Sequence, residues 1–441
     1  MQKISVTEFV NVEHKAYSVV NSIRSIPFVI DGLKPSQRKI LFAALGYNKF
    51  EIVDRLAMHS ASLTNYKAAG DNMSSTIINM ARNFPGTNNI PYFDRDGQFG
   101  SIVDVGSSSA RYISVATSDL VTKIFRKEDD AILDYNYLGD ERLEPKMYLP
   151  VLPMMLINGA DGIGTGYATK VPNHSIESVI TALRALLRGE EYEPLKPYWN
   201  GYKGKTGYNE DGRVVVEGLF TRVNATTLHI TEVPVGWYSK IYETKVLLPL
   251  YKEGVVTGYS NDTNEGGWDI TVNFKRGELS KLTDAQVTDM LRLKKAQMPT
   301  LVGWDENGFI KRYHKIDDIL VNFFNYRLDR YEDRRQHMLV KLQSQIDKLE
   351  MRSLFIQFMT SSDLNQSMTL LKKAFLDEVK VEVDVDELFK IPLSSITIDA
   401  KERLAREINK LKGTRVALLK KTNIDLYSED LDEIEAALAS K

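Results

Sequence analysis

The sequence predicts an α+β multidomain protein in three successive parts, at residues 1–150, 151–310 and 311–441. Three observations carry this. Helical segments flank a stretch, residues 86–107, crowded with glycines and turn formers. Short β-rich runs alternate with helices from 151 to 310. From Ile316 to Met359 the chain then runs without Pro or Gly, much longer than an ordinary globular helix.

In the first part, Ser36–Leu45 has helical periodicity and follows Lys34-Pro35, a helix-opening pair. A second helix is expected at Ser74–Asn83. The turn residues of 86–107 predict hairpins or a wing. In the second part, Arg213–Gly218, Thr227–Thr231 and Trp268–Phe274 read as strands, the last alternating with period two. Lys240–Glu253 and Asp284–Lys294 read as helices. In the third part, Leu339, Leu342, Ile346 and Leu349 keep the 3-4-3 spacing of a coiled-coil seam. After a polar break near Ser361-Ser362, a smaller helical region runs to about Phe389. A second long helix starts near Asp399, with Leu404, Ile408 and Leu411 at 4-3 spacing. The expectation is an antiparallel coiled coil with a globular knob at about 355–400; a plain helical bundle stays open as the alternative.

The 441 residues suit two to four domains, and 43% hydrophobic residues can form a core. The absence of cysteine excludes disulfides, thiolate metal sites and cysteine nucleophiles. The N-terminus does not read as a signal peptide, and no apolar run reaches membrane-spanning length. A soluble, cytoplasmic protein with no membrane partner is therefore expected. The net charge of −2 is not that of a nucleic-acid coat. Charge is uneven, however: Arg24 to Lys67 holds seven basic residues against three acidic. Such a face binds phosphates, although a solvated helix face reads the same way.

The chemistry centres on Arg111-Tyr112, within Ser107–Ile113. Gly97-Gln98-Phe99-Gly100-Ser101 lies upstream, and Gly159-Ala160-Asp161-Gly162-Ile163-Gly164-Thr165-Gly166 lies downstream. A phenol holds its proton at neutral pH and needs a neighbouring cation, metal or base to act as a nucleophile. Arg111 supplies a cation suited to phosphoryl oxygens. The glycine-rich run is a poor P-loop, because Tyr167-Ala168-Thr169-Lys170 follows instead of Lys-Ser/Thr.

In order and spacing these segments resemble the DNA-cleaving subunit of type IIA DNA topoisomerases. Further similar segments are Arg24–Pro27, Asp31–Lys39, Thr76–Phe84, Asp318–Phe324 and Asp425–Leu431. Several look closer to the eukaryotic and T-even phage enzymes than to bacterial gyrase. The resemblance implies a winged-helix cleavage domain at 1–150, a tower domain at 151–310, and a coiled coil with a helical dimer gate at 311–441. It implies Tyr112 as the nucleophile, forming a 5′-phosphotyrosyl bond. Arg111 and Arg24 would sit on the scissile phosphate, and Lys34, Arg38, Lys39 and Lys67 would bind DNA. Ile163 would wedge between base pairs and bend the duplex.

One departure stands out. The family usually has a histidine pair or His-Pro-His before Gly-Asp/Glu; this chain reads Tyr66-Lys67-Ala68-Ala69-Gly70-Asp71. Ala69 takes the place of the histidine nearest the phosphate, with Lys67 or His59 left to compensate. Asn72 and Thr76 replace the serine and acidic residue that anchor quinolones in bacterial members, which predicts weak quinolone sensitivity. No Toprim or ATPase signature is evident, and Asp384-Val385-Asp386 reads as a solvated acidic face. Mg²⁺ and ATP are therefore expected on a partner chain with ATPase and Toprim domains, as in bacterial and T-even phage enzymes. The expected assembly is a homodimer of this chain in a heterotetramer, and a phage origin fits the short split form. Without gyrase's pinwheel, relaxation and decatenation are expected ahead of supercoiling. Two other classes stay open: a DNA-binding scaffold with a decayed active site, and a structural coiled-coil protein.

Overall fold

The computed structural model describes residues 4–47, 49–67, 70–361, 367–379, 388–390 and 398–440. The chain divides into two compact units, residues 1–328 with 428–441, and residues 329–427. The first unit thus holds the segments 1–150 and 151–310 together.

The first unit begins with a helical run that ends in the helix Lys15–Ser25. Helices Pro35–Ala44, Val53–Leu63 and Asp71–Ala81 follow. The first of these starts at Pro35, whose fixed φ suits the opening turn, and Gln37 Oε1 accepts the N–H of Lys34 at 2.9 Å. Ile40, Leu41, Ala57, Ile77 and Met80 turn inward to form the core. A three-stranded antiparallel sheet completes the winged-helix arrangement, in the order Glu51–Ile52, Ser114–Thr117, Phe93–Asp96. Within the stretch 86–107, expected to form hairpins or a wing, Phe93–Asp96 is a strand paired with Ser114–Thr117, and the long connection between the two carries Arg111-Tyr112.

Beyond it, Leu219–Arg222, Thr227–Glu232, Ile270–Phe274 and Val256–Asn261 form a four-stranded antiparallel sheet in that order. Its inner face, with Leu228, Ile230, Ile270 and Val272, packs on Tyr242, Leu247 and Val287. Lys294–Gln297, Val214–Glu217 and Lys205–Tyr208 form a separate three-stranded sheet. All three expected strands are present.

Two expected helices differ. Asp284–Lys294 is helical only to Met290. Arg292 takes a positive φ of 49°, and Lys294 pairs with Glu217 as the first residue of a strand. Sheet pairing with a distant segment overrides the local helical pattern there. Lys240–Glu253 is helical, but Glu243–Leu247 widens into a π-helical turn. Pro249, which has no N–H to return to Lys245, follows it.

In the second unit, residues 329–361 of the helix Ile316–Ser361 run antiparallel to the helix Ile398–Lys420. Arg335 donates to the Lys421 carbonyl at 3.4 Å. Glu350 pairs with Lys412 at 2.7 Å, and Lys401 donates to Gln357 at 3.1 Å. Leu339, Ile346, Leu404 and Ile408 are buried, as the seam requires. Phe355, Phe358, Met359, Leu371 and Phe375 cluster beside Phe389. The rest of the expected gate near 355–400, with Asp384 and Asp386, lies largely outside the described residues.

Candidate nucleic-acid interface

Arg111 and Tyr112 form a projecting turn. Tyr112 N–H donates to the Ser109 carbonyl at 2.9 Å, while its side chain is 75% exposed. The next residue, Ile113, is buried and anchors the turn. This anchoring explains Gly97: a Cβ there would lie 2.6 Å from Ile113 Cγ2. The Arg111 guanidinium carbon sits 5.3 Å from the centre of the Tyr112 ring. A cation and a phenol hydroxyl are thus presented together to solvent, where a phosphodiester can reach both.

A second cluster surrounds Ile163. Ala160–Ile163 and Ala168–Val171 form a two-stranded hairpin, closed by Gly164 N–H donating to the Tyr167 carbonyl at 2.8 Å. Ile163 at its tip is 81% exposed, an unusual place for a β-branched apolar side chain. The hairpin rests on the helix that carries Arg24. Asn21 Oδ1 accepts from Thr165 N at 2.9 Å and Oγ1 at 3.1 Å. A Cβ on Gly162 would fall 2.0 Å from the Ser25 carbonyl oxygen, so only glycine fits. Arg24 itself is exposed, and its side chain makes no hydrogen bond or ion pair among the described residues. Lys34 Nζ donates to the Asp161 carbonyl at 2.7 Å. Loss of surrounding water holds this ammonium below the usual lysine range, and Asp161 opposes that shift.

The other cations sit differently. Arg38, expected to face DNA, is 4% exposed. Its Nε donates to Asp31 Oδ2 at 2.7 Å, and Nη2 to Asp31 Oδ1 at 3.2 Å and the Leu33 carbonyl at 3.0 Å. The structure thus gives Arg38, expected to bind DNA, a different partner: it neutralises the buried Asp31 carboxylate. Lys39 Nζ is committed to Glu144 at 2.6 Å and to the Thr64 carbonyl at 3.2 Å. Lys67 is exposed. Ala69 lies outside the described residues. His59 packs edge-on against Tyr47, with ring centroids 5.1 Å apart.

Asn21 was not found from sequence, and Gly162 was read there only as part of the glycine-rich turn, without its contact to Ser25. Their partners lie more than a hundred residues away, so no local pattern marks these contacts. Among the described residues no three His, Asp or Glu side chains converge to hold a metal ion. No described helix is long and apolar enough to cross a membrane.

A family model for the A-subunit of DNA gyrase/topoisomerase IV matches residues 24–432. The chain is 32% identical to DNA topoisomerase 2-alpha of Rattus norvegicus over 493 residues, covering 99% of this chain and 32% of that protein. It is 34% identical to DNA topoisomerase 2 of Bombyx mori over 363 residues, covering 80% and 23%. Its structure is similar to the crystal structure of the DNA-binding, cleavage and re-ligation domain of Plasmodium falciparum topoisomerase II. The TM-score is 0.90 at 27% identity, covering 99% of this chain and 65% of that one. The chain spans about a third or less of the length of these curated relatives. With the matching family model across most of its length and this mixed helix-and-sheet fold, the chain belongs to the A-subunit family of DNA gyrase and topoisomerase IV.

Proposed function

We infer that this chain is the DNA breakage-reunion part of a type IIA topoisomerase, an isomerase that cuts and reseals both strands of a duplex. One observation carries the reading: in a chain of this family, an exposed Tyr112 has its ring beside the Arg111 guanidinium. Tyr112 Oη attacks the scissile phosphorus and forms a 5′-phosphotyrosyl bond. The phenolic proton passes to water, and the departing 3′-oxygen takes up a proton to become a hydroxyl. Resealing runs the same exchange backwards, so one ester bond always replaces another and no fresh activation is needed. Arg111 and Arg24 offset charge on the phosphoryl oxygens. Lys34 and Lys67 add sequence-independent attraction to the backbone. The exposed Ile163 opens a base step and bends the duplex.

The finer assignments rest on the family resemblance. Two copies of the chain would cut opposite strands, and a second duplex would pass between them, giving relaxation and decatenation. A partner ATPase/Toprim chain would hold ATP and Mg²⁺. Among the described residues no three His, Asp or Glu side chains come together for a metal ion, and no step here runs through one.

The test combines the chain, its ATPase/Toprim partner, Mg²⁺ and supercoiled plasmid, with abrupt denaturation. DNA covalently attached to this chain, and absent with Tyr112→Phe, is the expected result. Intact DNA binding with no adduct under any condition would overturn the reading in favour of a decayed scaffold.

A further inference from the structure

A cavity of about 420 Å³ opens at the root of the Ile163 hairpin, within the size range of small-molecule sites. Its lining is mixed, with Asn79, Asn88 and Asn173 among the polar residues; the apolar part, which we call its floor, holds Trp199 and Val216, buried in one cluster with Val235 packed against them. Two ammonium groups stand on its rim, Lys170 and Lys295. Lys170 is paired with Asp161. The Lys295 side chain makes no hydrogen bond or ion pair among the described residues. Its Nζ lies 3.7 Å from where a Cβ on Gly236, another lining residue, would be. The residue is exposed as a whole, yet loss of water around the ammonium, and then the charge of Lys170, hold it below the usual lysine range. Arg82 also lines the cavity, but its three nitrogens already donate to Phe99, Asn79 and Val105.

We propose that this cavity binds a small aromatic anion, a planar ring system carrying one carboxylate. The ring lies on the Trp199–Val216 floor, and the carboxylate meets Lys295 and relieves its repulsion from Lys170. An inorganic anion gains nothing from the floor, and a neutral ring gains nothing from the rim. Gly159, Ala160, Asp161 and Lys170 are both wall of the cavity and root of the hairpin, so an occupant braces the strand pair that carries Ile163. The inference does not depend on DNA cleavage, and a Tyr112→Phe chain serves equally for its test.

Isothermal titration of the full chain with 1-naphthoate, 1-naphthalenemethanol and inorganic phosphate tests it. The expected result is saturable naphthoate binding at one per chain, at least tenfold tighter than the neutral alcohol or phosphate. Lys295→Met, checked for unchanged circular dichroism, should weaken naphthoate binding at least tenfold. Asp161→Asn, which removes the competing carboxylate, should tighten it a few-fold. No saturable binding, equal binding of the alcohol or of phosphate, or naphthoate binding indifferent to Lys295→Met would each overturn the proposal.

Discussion

Replacing Arg38 with methionine separates a structural cation from a DNA contact. Asp31 is fully buried and accepts four hydrogen bonds: from Leu33 N and Tyr148 N at 3.0 Å each, and from Arg38 Nε at 2.7 Å and Nη2 at 3.2 Å. The substitution removes two of the four and the only charged group among these donors. A buried carboxylate stripped of its partner typically costs about 3–5 kcal/mol. Amide hydrogen exchange of the helix Pro35–Ala44 in the full chain should therefore lose about that much protection free energy. The double variant Asp31→Asn/Arg38→Met should recover a good part of it, since no lone charge is left behind. Duplex binding followed against salt should keep its slope, whereas losing one phosphate contact would flatten it by about 0.9. If Arg38→Met costs less than about 1 kcal/mol, well below the buried-pair range, and flattens that slope, the burial argument is wrong and Arg38 is a DNA contact.

Other consequences are open to measurement. Ile163→Ala, at a side chain 81% exposed, should change stability by no more than about 0.5 kcal/mol while removing most of the duplex bend read by end-to-end energy transfer; an unchanged bend would exclude a wedge. His174 is buried and donates through Nδ1 to the Leu156 carbonyl at 2.9 Å, and burial pushes its pKa down to about 4. The unfolded chain takes up that proton first, so this share of stability is complete above about pH 6.5 and fades as pH falls towards 4, on the order of 3 kcal/mol in all. Urea titrations across that range should lose this slope in His174→Gln. The fully buried Arg327, paired with Asp129 at 2.8 Å, should cost about 3–5 kcal/mol when replaced by methionine. Arg184, on the exposed Asp432 and Glu435, should cost less than about 1 kcal/mol, and thermal unfolding will rank the two. Quinolones at concentrations effective on bacterial enzymes should trap little cleaved DNA, and strong trapping would remove the significance given to Asn72 and Thr76.

What could be read from sequence was whatever depends on near neighbours. The seam at Leu339, Ile346, Leu404 and Ile408 repeats every three or four residues, so its buried face is visible in the string itself. The Arg111-Tyr112 turn and the glycines around Ile163 were legible for the same reason. Arg38 was not. Beside Lys34 and Lys39 it looks like one more member of a basic face, and its burial depends on Asp31 being fixed by the backbone of Tyr148, 117 residues away. The helix ending at Met290 was hidden similarly, because the strand that replaces it needs Val214–Glu217 as a partner. The clamp from Asn21 to Thr165 spans 144 residues.

Gly162 leaves a last consequence. With no Cβ, the hairpin lies directly on the Ser25 carbonyl, and Gly164 lies close against Ser22. Two backbones in such contact share their motion, unlike side chains that can change rotamer independently. Arg24 and Ile163 are therefore mounted on one lever. The backbones that carry the two side chains thus move together, and their spacing rests on main-chain contact that a surface substitution does not reach.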